Sequence, residues 1–241
     1  MIDTIFFDLG DTFRLIRKDE QYQYAAKKTI CDCLGVDTDP VAFYKEVIEP
    51  RYDKYRAWAL TYYCEAPEKE LWTRWLAFDY PREQVEQNAA KMTYAYRKTK
   101  GERVVAPGAI QTVQELYARG YTLGIVSDLV GVGEVDEWLD QDHLRPYFKT
   151  VQQSSLCLIR KPHPAIYYYA LAECGKRGEN TAFVGDNLNR DIVGAKAAGL
   201  AMTVGMRHPG AKPQEVTDEN RPDCFVSGFP ELLNIFPEIK K

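Results

Sequence analysis

The stretch TAFVGDNLNRDIVGAKAAG, residues 181–199, carries the clearest structural signal in this sequence. Its first five residues form a short apolar run, which is typical of a buried strand. Residues 190–198 then repeat apolar side chains at helical spacing and stop at Gly199, as a helix that ends at glycine does. The stretch therefore predicts a strand at 181–185, a turn that carries Asp186, and a helix.

The same alternation of strand and helix continues on both sides of this stretch. The runs DTIFFD at 3–8 and YTLGIVS at 121–127 are short and apolar, and each is followed by polar residues. Short apolar strands that alternate with helices of about ten residues predict an α/β fold with a doubly wound, Rossmann-like parallel sheet. Further strands are predicted at 148–152, 200–204 and 223–226, and further helices at 132–140, 164–174 and 229–236.

Residues 19–99 show a different pattern. Apolar side chains recur there at helical spacing, and the region holds ten of the 16 tyrosines and three of the four tryptophans. We interpret this aromatic content as the core of a small helical bundle, with a ligand pocket as the alternative. We predict an inserted all-α domain at 14–99, here called the helical insert, and an α/β core made of 1–13 and 100–241. The helical stretches are 20–34, 40–62, 67–78 and 83–98.

Composition argues against several classes of function. The chain has 241 residues, of which 45% are apolar and 27% charged, as in ordinary globular proteins. A formal charge of −4 leaves no basic footprint for nucleic acid or an anionic membrane. No apolar run approaches the roughly 18 residues that cross a bilayer, and six cysteines are too sparse for a disulfide scaffold. We expect a cytoplasmic protein with reduced thiols and no nucleic-acid or membrane partner. The sequence leaves its oligomeric state open.

Carboxylates, a hydroxyl and a lysine follow the predicted strands. Ligands of open parallel sheets bind outside the carboxyl ends of the strands, so we expect these side chains to converge. Several carboxylates at one point favour Mg²⁺. One of them can also attack phosphorus, while a hydroxyl and an ammonium group stabilise the phosphoryl oxygens. The residues concerned are Asp8, Asp11, Ser127, Asp128, Lys161, Asp186 and Asp191.

Four segments resemble, in order, the four sequence motifs of the haloacid dehalogenase superfamily. FDLGDT at 7–12 resembles motif one, and the strand that ends at Ser127 is similar to motif two. KPHPAIY at 161–167 resembles motif three, and VGDNLNRDIVGAKAAG at 184–199 resembles motif four, the most specific of them. The resemblance covers residues 1–13 and about 100–236. It implies a hydrolase in which the helical insert takes the place of the family's cap, between motifs one and two.

The resemblance also implies a role for each motif residue. Asp8 would be the nucleophile, and Lys161 would shield it from the negative charge of the phosphate. The implied substrate-binding residues are Ser127, Asp128 and Lys161. The implied metal ligands are Asp8, the carbonyl of Gly10, Asp186 and Asp191, the last as an indirect or weaker ligand. The implied function is a Mg²⁺-dependent phosphatase that hydrolyses a small phosphorylated metabolite through an aspartyl-phosphate.

One position departs from the family pattern. Family phosphatases usually place a second aspartate two residues after the nucleophile, as general acid and base, whereas this chain has Gly10 there and Asp11 one residue later. Loss of such a group typically lowers the rate by about 10²–10⁴. Three outcomes stay open: Asp11 replaces the missing group, the substrates have good leaving groups, or the protein binds a phosphometabolite with impaired turnover. A 2-haloacid dehalogenase-type hydrolase is a further alternative, because dehalogenases also lack that aspartate.

Overall fold

The computed structural model of the protein describes residues 1–239. Its main sheet has six parallel strands in the order β5-β4-β1-β6-β7-β8, and a separate antiparallel ribbon pairs β2 with β3. A parallel sheet whose strands alternate with helices confirms the α/β, doubly wound fold predicted from the sequence. The strands are β1 (Thr4–Phe7), β2 (Arg14–Arg17), β3 (Glu102–Val105), β4 (Thr122–Ser127), β5 (Phe148–Gln153), β6 (Thr181–Gly185), β7 (Met202–Met206) and β8 (Cys224–Val226).

The central strand β1 is buried on both faces of the sheet. Ile5 and Phe7 pack in one apolar cluster, and Phe6 packs in another on the opposite face. Successive side chains of a strand point to opposite faces, so a continuous apolar run suits a strand covered on both sides. The core α-helices span Ala109–Ala118, Glu134–Gln141, Ser154–Cys157, Ala165–Cys174, Val193–Ala197 and Leu232–Ile235, and a π-helical turn at Leu188–Ile192 precedes the fifth of these.

The helical insert has an apolar core of its own. Trp72 and Tyr55 are fully buried in it, and the Trp72 indole donates a hydrogen bond to Thr93 Oγ1 at 2.8 Å. Most of the aromatic content therefore packs within the bundle. The helices span Glu20–Leu34, Pro40–Phe43, Glu49–Tyr62, Glu68–Glu70 and Arg82–Lys98, with π-helical segments at Tyr44–Ile48 and Leu71–Leu76. Among residues 1–239, no helix has both the length and the apolar character needed to cross a membrane.

The ribbon of β2 and β3 was not predicted from the sequence. Arg14 pairs with Val105 and Arg17 with Glu102, so the two chain segments that lead into and out of the helices run side by side. The ribbon falls at both edges of the insert, with 14–17 inside its predicted bounds and 102–105 outside them. The division of the chain at 13/14 and 99/100 stays a prediction. The strand expected at 200–204 lies two residues later, at Met202–Met206.

Candidate active site

Asp8 lies directly after β1, at the carboxyl edge of the sheet. Its backbone N–H donates to Val184 O of the neighbouring strand at 2.9 Å, which holds the residue in line with β6. Ser127 Oγ donates a hydrogen bond to Asp8 Oδ1 at 3.1 Å, and Lys161 Nζ donates to the same oxygen at 2.6 Å. Within residues 1–239, Asp8 Oδ2 forms no hydrogen bond, so one carboxylate oxygen is left open to a ligand.

Lys161 is a buried cation that joins two carboxylates. Its Nζ lies 2.6 Å from Asp8 Oδ1 and 2.7 Å from Asp191 Oδ1, and it also donates to Val126 O at 3.1 Å. Burial alone would lower the pKa of this amine, but Asp191 and Asp8 raise it above its ordinary value. Lys161 is therefore positively charged and held in place by all three of its donors.

Asp186 and Asp191 complete an acidic cluster with Asp8. One carboxylate oxygen from each of the three lies within 4.8 Å of the others. Both oxygens of Asp191 are engaged, one by Lys161 and the other by the Asn187 N–H at 2.9 Å. Asp186 makes no ion pair in the described part of the chain. Burial and then the charge of Asp191 raise its pKa to about 8.

This acidic cluster fits a divalent cation. Three carboxylates share a single lysine, which leaves the cluster with two more acidic groups than cations, and Asp186 makes no ion pair among residues 1–239. Oxygen donors without imidazole or thiolate are the set that Mg²⁺ prefers. Asp186 and the free oxygen of Asp8 are the donors open to it, whereas Asp191 is occupied by protein contacts.

Asp11 stands at the rim of the site rather than inside it. Its backbone is left-handed, with φ 58°, and its side chain is 63% exposed. The Asp11 N–H donates to Arg14 O at 2.9 Å, which fixes the turn after Asp8. Asp11 and Gly10 both line the cavity that contains Asp8. The catalytic role of Asp11 and the metal-binding role of the Gly10 carbonyl stay predictions.

Asp128 lines the same cavity and accepts hydrogen bonds from the two chain segments that carry Lys161 and Arg190. Its Oδ1 accepts a hydrogen bond from the Lys161 N–H at 2.9 Å, and its Oδ2 accepts one from Arg190 Nη1 at 3.2 Å. Arg160 Nη2 lies 3.6 Å from the same Oδ2. These contacts orient Lys161 and two arginines. Direct substrate binding by Asp128 stays a prediction.

Five arginines in the cavity wall have no role in the sequence analysis. The cavity has a volume of about 160 Å³ and brings the arginines next to Asp8 and Ser127. Arg160 directly precedes Lys161, and Arg190 directly precedes Asp191. The sequence could therefore have marked these two arginines as site residues, because each is adjacent to a motif residue. The others come from the insert and the ribbon, where no pattern marks them. The five are Arg56, Arg97, Arg103, Arg160 and Arg190.

Two buried ion pairs connect the insert to helix and loop residues of the α/β core beside this cavity. Glu65 of the insert pairs with Arg160 and accepts hydrogen bonds from Tyr55 and from Ser154 Oγ, the latter at 2.7 Å. Arg97, at the end of the last insert helix, pairs with Glu134 at 2.9 Å. The insert therefore covers the carboxyl edge of the sheet at the site.

The family model for haloacid dehalogenase-like hydrolases matches residues 2–199. The chain belongs to this family. The match spans all four motif segments and confirms the resemblance drawn from them. The chain is thus a hydrolase. Asp8, Ser127, Lys161 and Asp186 lie together at the carboxyl edge of the sheet, and their individual roles stay predictions.

Curated relatives of the chain are named as phosphatases. A glyceraldehyde 3-phosphate phosphatase of Pyrococcus furiosus is 28% identical over 238 residues, which are 97% of this chain and 92% of that protein. A phosphoglycolate phosphatase of Yersinia pseudotuberculosis is 28% identical over 161 residues, 66% of this chain and 67% of that protein. Both relatives are named as phosphatases, and their names specify different substrates.

Solved structures share the fold. A haloacid dehalogenase-type phosphatase from Thermococcus onnurineus has a TM-score of 0.63 at 22% identity, over 99% of this chain and 100% of its own. A 2-haloacid dehalogenase from Pseudomonas syringae has a TM-score of 0.66 at 22% identity, over 98% of this chain and 100% of its own. Both phosphatases and dehalogenases therefore have this architecture, and the fold alone does not choose between them.

Proposed function

We propose that the chain is a Mg²⁺-dependent phosphatase that hydrolyses a small phosphorylated metabolite through an aspartyl-phosphate on Asp8. The observation that carries this proposal is the set of contacts to Asp8 Oδ1. Lys161 Nζ at 2.6 Å and Ser127 Oγ at 3.1 Å stand beside a carboxylate whose second oxygen makes no hydrogen bond within residues 1–239. The names of the Pyrococcus and Yersinia relatives support phosphate esters as the substrate class.

The first step forms a bond between phosphorus and Asp8 Oδ1, the oxygen that Lys161 and Ser127 contact, while Oδ2 stays open to the cation. The bond between phosphorus and the organic oxygen breaks, its electron pair stays on that oxygen, and the oxygen takes a proton from Asp11, the candidate acid, to leave as an alcohol. In this step the hydrogen bonds that Lys161 Nζ and Ser127 Oγ give to Asp8 Oδ1 pass to the phosphoryl oxygens. Both groups lie within hydrogen-bond reach of Asp8, so a phosphoryl group bound there would contact them as well.

The second step returns the carboxylate. A water oxygen bonds to phosphorus, the bond between phosphorus and Asp8 breaks, and the electron pair returns to Asp8 as inorganic phosphate leaves. A proton acceptor must take up a proton from the attacking water. Asp11 lines the same cavity as Asp8 and would take it up, which restores the proton given to the alcohol; its side chain is 63% exposed and lies 4.0 Å from Arg103 Nη1.

Asp8, Asp186 and the Gly10 carbonyl would hold Mg²⁺. Asp191 would act on the metal site indirectly, because its two oxygens are bound by Lys161 Nζ and the Asn187 N–H. When bound, Mg²⁺ supplies charge neutralisation on the phosphoryl oxygens. The raised pKa of Asp186, about 8, shows how unfavourable its negative charge is among the protein groups alone. A divalent cation would remove that penalty.

The test is phosphate release from a panel of phosphate monoesters, with Mg²⁺ and with a chelator. We expect release that requires Mg²⁺ and falls by at least about 10³-fold in Asp8→Asn. The exposed Asp37 supplies the matched control, and Asp37→Asn should keep full activity. Release that survives Asp8→Asn would rule out the aspartyl-phosphate. Thermal stabilisation by phosphate esters with no release would show a binding protein instead.

Gly10 favours a second candidate function. The position that carries the acid/base aspartate of family phosphatases has no side chain here, and dehalogenases lack that aspartate too. In this alternative, Asp8 attacks the carbon of a 2-haloacid, displaces halide and forms an ester that water then hydrolyses. Chloride release from 2-chloropropionate in the presence of a chelator would support dehalogenation and contradict the phosphatase proposal.

A further inference from the structure

Arg103 occupies the space beside Gly10. It projects from β3, and its Nη1 lies 3.8 Å from the point where a Cβ on Gly10 would stand. The family pattern places a carboxylate at this position, two residues after Asp8. Here Gly10 has no side chain at this position, and the Arg103 guanidinium group of β3 lies next to it.

The Arg103 guanidinium has no adequate counter-charge. Its Nε and Nη1 are buried and form no hydrogen bond within residues 1–239. The nearest carboxylate oxygen is Asp11 Oδ1, 4.0 Å from Nη1, on a side chain that is 63% exposed. Burial and the nearby charge of Arg97 lower the pKa of Arg103 to about 10, which leaves it cationic at neutral pH. A buried, unpaired cation is costly unless an anion joins it.

The other arginines of the cavity wall are mostly paired. Arg97 pairs with Glu134, Arg160 with Glu65, and Arg190 with Asp128. Arg56, on the exposed rim, makes no ion pair among residues 1–239. The unpaired positive charge therefore lies at Arg103 and at the exposed rim.

We infer that Arg103 binds a second anionic group of the substrate, close to the oxygen that leaves phosphorus. The preferred substrates are then small phosphate monoesters that carry a carboxylate or a second phosphate a few bonds from that oxygen. A cavity of about 160 Å³ suits a metabolite of this size better than a larger molecule. This inference rests on the proposed phosphatase function, because it defines the anionic group relative to the bound phosphate.

The test compares three substrates that differ in the second group: ethyl phosphate, 2-phosphoglycolate and ethane-1,2-diyl bisphosphate. For each charged ester, kcat/KM is divided by the value for ethyl phosphate. The wild type should prefer at least one charged ester, and Arg103→Gln should lower that ratio by about 10–100-fold. The ester that shows the preference identifies the anion as carboxylate or phosphate. Arg103→Lys should keep part of the ratio.

Two more variants separate recognition from a structural effect. Arg17→Gln removes an exposed arginine of the same ribbon and should leave the ratio unchanged. Gly10→Asp places a carboxylate beside Arg103 and should reduce the ratio, because it neutralises the guanidinium. Equal loss on charged and uncharged esters in Arg103→Gln would overturn the inference, as would a wild type that prefers ethyl phosphate.

Binding measurements keep this inference distinct from the proposed function. If no ester is hydrolysed, the phosphatase proposal fails, but calorimetry still measures the affinity of the intact protein for 2-phosphoglycolate and for ethyl phosphate. Tighter binding of either charged ester, lost in Arg103→Gln, would support the anion site without turnover. Equal affinities for charged and uncharged esters would reject it.

Discussion

Glu65→Gln removes a buried negative charge that joins the helical insert to the sheet. The Glu65 side chain is fully buried, and its partner Arg160 is only 4% exposed. Glu65 also accepts a hydrogen bond from Ser154 Oγ at 2.7 Å and one from the Tyr55 hydroxyl. Glutamine keeps the shape of the side chain but leaves the Arg160 charge with less compensation.

The expected loss follows from these contacts. Removing one partner of a buried ion pair lowers the free energy of unfolding by about 3–5 kcal/mol. Asp128 Oδ2 remains 3.6 Å from Arg160 Nη2 and compensates part of the charge, so we expect the lower end, about 3 kcal/mol. For a chain of this length, each kcal/mol shifts Tm by about 2–4 °C, which gives a decrease of about 6–12 °C.

Thermal unfolding at pH 7, followed by circular dichroism, measures this decrease. The matched control is Glu70→Gln, which breaks the exposed pair between Glu70 and Arg74 and should shift Tm by no more than about 2 °C. A Tm for Glu65→Gln that equals the control value would refute the reasoning. It would mean that the buried pair between Glu65 and Arg160 adds nothing to the contact between insert and sheet.

Three further predictions concern the sheet, the insert and the site. In Gly124→Ala, the new Cβ would lie 2.5 Å from Thr150 Cγ2 in the sheet, so the free energy of unfolding measured in urea should fall by about 1–3 kcal/mol. The control is Gly228→Ala, whose new Cβ would have its nearest atom at 3.8 Å and should leave the free energy of unfolding almost unchanged. Trp72→Phe leaves the Thr93 hydroxyl without its indole donor in a buried position, and should lower the free energy of unfolding by about 1–3 kcal/mol in the same assay. Lys161→Gln removes the cation between two carboxylates and should lower kcat by about 10²–10³ on any phosphate ester the wild type hydrolyses; an unchanged kcat would exclude Lys161 from the chemistry.

The convergence of the motif residues was predictable from the sequence. It depends only on the position of each residue at the end of a strand and on the rule that the carboxyl ends of parallel strands lie at one edge of the sheet. Asp8, Ser127 and Asp186 each follow or end a parallel strand, and β4, β1 and β6 are neighbours in the sheet. Their side chains therefore meet at one edge whatever the details of packing. The long helices of the insert were likewise predictable, because apolar residues at helical spacing mark them.

The ribbon and the arginines of the cavity wall could not be predicted from sequence patterns. β2 has four residues without an alternating pattern, and its partner β3 lies 85 residues further along the chain, so only tertiary structure brings them together. Arg103 faces the site because of that pairing. The exposed position of Asp11 also depends on the turn, in which its N–H bonds Arg14 O, rather than on its identity.

Charged side chains join the insert to the α/β core beside the site. Two buried ion pairs, Glu65 with Arg160 and Arg97 with Glu134, cross between them beside the cavity. Arg160 and Arg97 also line the cavity, so a bound anionic substrate would lie against the same side chains that join the insert to the core. An anion at Arg103 would also reduce the repulsion between Arg103 and Arg97.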